Sequence, residues 1–161
     1  MFRKFLATAL TTTLLATAAP VFAETMVKDV AVTADLTAVQ NESAGAHWAT
    51  LTDDLKNAIV TRLGSLVSED GQKLSVDIDS VELANTLQSA AGVADSKLVG
   101  TVTVTGEDNS KFDSYILTVS FADAGPFFPE GTDLTKITSD SKEYYDAMIA
   151  TFADHVVTKL Q

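Results

Sequence analysis

Two runs of strict alternation constrain this chain more than any other feature. Residues 97–105, KLVGTVTVT, and 111–121, KFDSYILTVSF, change polarity at almost every step and are separated by the turn-rich GEDNS. Side chains leave a strand on alternate faces, so Leu98, Gly100, Val102 and Val104 share one face, and Tyr115, Leu117, Val119 and Phe121 share one on the return. Two such runs around a short turn predict a β-hairpin. Its other face carries Thr101, Thr103, Thr105, Thr118 and Ser120, which suits an antiparallel sheet covered on one side only.

Two further strands and two helices surround the hairpin. MVKDVAVTADL, residues 26–36, puts Met26, Val30, Val32, Ala34 and Leu36 on one parity and predicts a first strand. In KLSVDIDSVELAN, residues 73–85, Leu74, Val76 and Ile78 alternate with Ser75, Asp77 and Asp79, and the apolar parity then switches to Val81 and Leu83. A bulge near Asp79-Ser80 accounts for the switch. From Ser43 to Ser68 the period lengthens: Trp48, Leu51, Leu55, Ile59, Leu63, Leu66 and Val67 recur at steps of three and four, the mark of an amphipathic helix. Gly71 suits a left-handed cap after it. Residues 86–96 read as a loose connection. Near the C-terminus Tyr145, Met148, Ile149, Phe152, Val156 and Leu160 mark a second helix, with Ser139 or Asp140 as its cap and Lys159 complementing its C-terminal dipole. At such spacing Tyr144 and Tyr145 should not both face the core, which leaves one of them at its rim. The expected fold is α+β: a curved, mostly antiparallel sheet of about four strands in β-α-β-β-β-α order, with both helices on one face.

The N-terminus sets the compartment. Met1-Phe2-Arg3-Lys4 is positively charged, FLATALTTTLLATA is apolar but too short and too rich in threonine to span a bilayer, and Val21-Phe22-Ala23 offers small or modest residues to a signal peptidase. Cleavage after Ala23 leaves Glu24–Gln161, one domain of ordinary size, periplasmic or secreted, with no stable membrane insertion. The mature chain holds nine basic residues against 22 acidic ones, a formal charge of −13. Such a chain repels phosphate backbones and anionic lipid, which argues against nucleic acid as a partner. With no cysteine, it offers no thiol nucleophile, disulfide, zinc–thiolate site or lipid-bearing N-terminus.

Catalytic motifs are sparse. No G-x-S-x-G, glycine-rich phosphate loop or H-E-x-x-H occurs. The two histidines, His47 and His155, fall on separate predicted helices. Asp77, Asp79 and Glu82 raise the question of a divalent cation, but Asp77 and Asp79 are successive outward residues of a strand, without a ligand loop. The reading is of a non-enzymatic chain without a cofactor or bound metal.

One segment breaks all periodicity. In residues 122–138, ADAGPFFPEGTDLTKIT, Pro126 and Pro129 bracket Phe127 and Phe128, and no other proline lies in the mature chain. A loop of this length in a small domain is often functional. Its rings either close the open end of the core or present an apolar patch to a partner, with Pro126, Phe127, Phe128 and Pro129 as the contact residues. The alternative is a small-ligand carrier or enzyme with a pocket between helices and sheet, its mouth lined by Tyr144, Tyr145, His155 or Asp77. The order of an early strand, a long helix, an LSVDIDSVEL strand, the hairpin LVGTVTV and YILTVSF, and a closing amphipathic helix resembles the small periplasmic auxiliary domains that accompany bacterial envelope transport systems. That resemblance implies a partner-binding role beside another envelope protein. Neither the partner nor the oligomeric state is legible in the sequence.

Overall fold

The alternating runs become strands of one sheet. The computed structural model describes residues 24–34, 48–83, 96–107 and 113–161. The elements are β1 (Val27–Ala34), α1 (Leu51–Leu63), β2 (Gln72–Glu82), β3 (Lys97–Thr105), β4 (Asp113–Ser120) and α2 (Lys142–Thr158). The expected leader, His47 and most of the 86–96 connection lie outside the described residues. Spatial order follows chain order, β1-β2-β3-β4. β1 runs parallel to β2, and the other neighbours are antiparallel. A parallel neighbour requires a crossover, and α1 lies within that connection.

The inward faces are those the alternation marked. Leu74, Val76, Ile78, Leu98, Val102 and Val119 are all buried, and Leu51, Leu55, Ile59 and Leu63 of α1 are buried at every fourth position. α1 packs on β1 and on α2, while α2 packs on β3 and β4. Ten of the 17 residues of α2 are buried, because it is enclosed by the sheet on one side and by α1 on another. Phe152 sits at the centre. A Cβ on Gly100 would come within 2.9 Å of the Asp77 carbonyl oxygen and 3.1 Å of the Phe152 ring, so the ring rests where a strand residue lacks a side chain.

Several boundaries differ from the sequence reading. A register shift between Val27 and Asp29 turns Val27 inward and leaves Met26 exposed, since one extra residue reverses parity. α1 is shorter than the stripe that suggested it. Ala49 and Thr50 form a turn between Trp48 and Leu51, the helix closes in a tight turn at Gly64–Leu66, and Val67 is 54% exposed beside a bridge to Val27. The positive φ at the helix end falls on Gly64, at φ 50° and ψ −112°, and not on Gly71, and it is not the left-handed cap the sequence suggests. Gly71 is needed for a different reason: a Cβ there would lie 2.5 Å from the Val27 carbonyl carbon. Ser141, not Ser139 or Asp140, caps α2 by accepting a hydrogen bond from the Tyr144 N–H at 3.2 Å. The shift between Ile78 and Ser80 in β2 falls where the parity switch required one.

The face opposite the helices is polar. Thr33 donates to Asp77 and Thr101 to Asp79, each at 2.9 Å, and Thr103 and Ser114 are 3.1 Å apart. Asp77 and Asp79 thus engage neighbouring hydroxyls. No helix among the described residues is long and apolar enough to cross a membrane.

Candidate functional site

Two surfaces bring together residues that the sequence singled out. The first is the long loop after β4. Ser120 donates its N–H and its hydroxyl to the Asp123 carboxylate at 2.9 and 2.7 Å, and these bonds hold that carboxyl below the usual range against the opposing effect of burial. Gly125–Phe127 forms one tight helical turn with Pro126 in its first positions, as the ring's fixed φ and missing N–H favour. Phe128 then packs edge-on against Phe121 at 5.6 Å between ring centroids, and Phe121 stacks on Tyr144 at 5.5 Å. Phe127 and Phe128 are half-buried against the core, whereas Pro126 and Pro129 are exposed. Thr132 folds the distal end back by donating to the Pro129 carbonyl at 2.7 Å. Residues 121–132 are therefore a pinned loop with a proline-bearing tip.

The second surface is a groove between the helices, where the sequence reading placed a pocket between helix and sheet. Thr50, Asp54, Ala58 and Arg62 stand one turn apart along α1 and its cap, facing Lys142, Tyr145, Asp146 and Ile149 of α2 across about 400 Å³. Asp54 accepts from the Thr50 hydroxyl at 2.6 Å and from the Tyr145 phenol at 2.7 Å. Those two bonds, with a smaller contribution from Lys142, lower its carboxyl's pKa although burial acts the other way. Burial, reinforced by the bond to Asp54, pushes the Tyr145 phenol well above its ordinary value. The bond between them thus keeps Asp54 charged and Tyr145 protonated. Lys142 is paired with Asp146 at 2.8 Å. Arg62 donates to the Ala58 carbonyl of its own helix at 3.3 Å and makes no ion pair among the described residues.

Both tyrosines are buried, Tyr144 at 2% exposure and Tyr145 at 5%, which corrects the expectation that one would sit at the rim. They flank the core stripe of α2 on opposite sides: Tyr144 stacks on Phe121, and Tyr145 meets Trp48 edge-on at 5.1 Å. Of the residues expected at a pocket mouth, Tyr145 lines the groove. Tyr144 and His155 do not, His155 lying close enough to Asp123 to favour its charged form. Asp77 is on the open sheet face. Asp54 and Arg62 were not singled out in the sequence, where they appear only as polar spacers. Their four-residue spacing with Thr50 and Ala58 was the available signal.

No family model matches this chain, and no curated protein matches it by sequence. Among solved structures it is similar to PelC from Paraburkholderia phytofirmans, described as a dodecamer, at 12% identity and a TM-score of 0.36, over 85% of this chain and 94% of that one. It is also similar to a minor lipoprotein from Acinetobacter baumannii, at 12% identity and a TM-score of 0.34, over 82% of this chain and 91% of that one. Likeness at this level carries no conclusion about role.

Proposed function

We propose that Glu24–Gln161 is a soluble, non-enzymatic binding module exported to the bacterial periplasm, and that it docks another envelope protein through Pro126, Phe127, Phe128 and Pro129. The observation that carries this reading is the construction of the loop. Its root is fixed by the Phe121–Phe128 and Phe121–Tyr144 contacts while Pro126 and Pro129 stay exposed. A loop already fixed in shape loses little entropy when a partner engages it. The charged, apolar and small-residue order of residues 1–23 supports export.

In-cell photo-crosslinking tests the proposal, with one probe at Pro126 and a control at Asp77 on the open sheet face. A discrete protein adduct at position 126 alone is expected. Adducts of equal yield at both positions, or none at 126, would refute the loop as the contact. Phe128→Asp should abolish the adduct while the circular dichroism stays native. If it unfolds the chain instead, Phe128 is a cap of the core and not a contact.

The groove favours a second reading, a small-ligand carrier. Arg62 offers a guanidinium without a carboxylate partner among the described residues, and Asp54 keeps lone pairs beyond the two it uses. A small molecule bearing both an acidic group and a hydroxyl or amine matches that pair. Native mass spectra of protein taken from its own host would show a bound mass that Arg62→Ala removes. An empty spectrum counts against this reading.

A further inference from the structure

The two edges of the sheet are built differently. β1 is guarded as edge strands commonly are: its register breaks between Val27 and Asp29, and Lys28 and Asp29 both stand exposed. β4 has none of these devices. Its register with β3 runs unbroken from Asp113 to Ser120, it contains no proline, and Ser114–Ser120 carries no charge. At its middle Ile116 is 72% exposed, more than any other large hydrophobic side chain among the described residues.

The direction of the free backbone groups follows from the pairing. The Phe121 N–H donates to the Ser96 carbonyl at 3.1 Å, and these residues extend the β3–β4 register by one step beyond Lys97 and Ser120. In an antiparallel ladder, pairs that bond directly alternate with pairs that do not. Tyr115, Leu117 and Val119 therefore turn their N–H and C=O groups toward β3, while Ser114, Ile116 and Thr118 turn theirs to the sheet edge, where no described strand pairs with them. The same three residues point their side chains away from the helices.

Outward from Ile116 the strand repeats itself in both directions, first an inward apolar residue, Tyr115 or Leu117, then a hydroxyl, Ser114 or Thr118. We propose that β4 pairs antiparallel with β4 of a second copy of this chain, about a two-fold axis at Ile116, so that the two sheets become continuous. In that register Ile116 opposes Ile116 of the second copy, Ser114 opposes Thr118, and Tyr115 opposes Leu117. Each directly bonded pair exchanges two hydrogen bonds, giving about six across the junction. Asp113, the one charge on the strand, falls opposite Val119, so no like charges meet on it despite the acidity of the chain. A two-fold interface needs a patch complementary to itself, and Ser114–Thr118 is such a patch.

The absence of cysteine makes the test direct. Directly bonded opposed residues have Cα atoms about 5.5 Å apart, within disulfide reach. Mild oxidation of folded Ile116→Cys should convert the chain to a covalent dimer, while Ser75→Cys, elsewhere on the same face, should yield only a trace. Sedimentation of the unmodified Glu24–Gln161 should give a dimer, and Ile116→Asp, which opposes two carboxylates on the axis, should give a monomer with unchanged circular dichroism. A monomeric unmodified chain, an Ile116→Asp variant that stays dimeric, an assembly larger than a dimer, or equal crosslinking at both cysteines would overturn the proposal.

Discussion

Replacing Tyr145 by Phe removes one oxygen from the seam between the helices and leaves the ring against Trp48. The oxygen donates to the Asp54 carboxylate at 2.7 Å. Hydrogen bonds to charged groups contribute about 1.5–3 kcal/mol. Asp54 is half-exposed and keeps its bond to Thr50, so water replaces much of the loss and the net cost is about 1 kcal/mol. That corresponds to a fall in Tm of roughly 4 °C for a domain of this size. The pH dependence separates this bond from a packing defect. The Asp54 carboxyl has a lower pKa folded than unfolded, so the stability it contributes is present above the unfolded value of about 3.9 and is lost as pH falls through the folded value. Urea unfolding followed by the fluorescence of Trp48, the sole tryptophan, should show a gap of about 1 kcal/mol between the two proteins at neutral pH, narrowing steadily below about pH 4. A gap unchanged in acid would mean the effect is packing. No gap at neutral pH would mean the bond contributes nothing.

Gly71→Ala places a methyl group 2.5–2.7 Å from backbone atoms of Val27 and Lys28, where no rotamer can yield. It should cost roughly 3 kcal/mol and selectively raise hydrogen exchange in β1, whereas uniform loss across the sheet would locate the damage elsewhere. Ser141→Ala deletes the cap that accepts from the Tyr144 N–H. It should lower stability by about 1 kcal/mol in urea titration, and a neutral result would mean that solvent satisfies the first turn equally well.

The strands were legible because one face of each is wet, and period-two alternation records that directly. Even the bulge of β2 was written in the sequence, as the change of parity between Ile78 and Val81. The bulge of β1 was not, because Met26 and Val27 are both apolar and either could be placed inward. The ends of α1 were misjudged for a related reason: Leu66 is buried from a tight turn after the helix, so an apolar stripe outlasts the helical geometry that began it. Tyr144 and Tyr145 exposed the limit of a single-face reading, since α2 is enclosed on several sides and accepts a buried ring on either flank. The groove was invisible because it belongs to two helices, and their relative rotation is fixed only by packing. Ile116 is the one aliphatic residue on the wet parity of YILTVSF, a signal that reading the face as uniformly polar passes over.

The bond from the Thr25 N–H to the Leu160 carbonyl, at 2.8 Å, ties the start of the domain to its last turn. β1 takes its ladder from β2 and its lateral cover from α1, so its partners lie far along the chain. The strand itself can therefore form once residues 51–82 are in place, whereas the tie at Thr25 waits for residue 160. Truncating the final turn would free the chain ahead of β1 at the other end of the sequence while leaving the β1–β2 ladder in place.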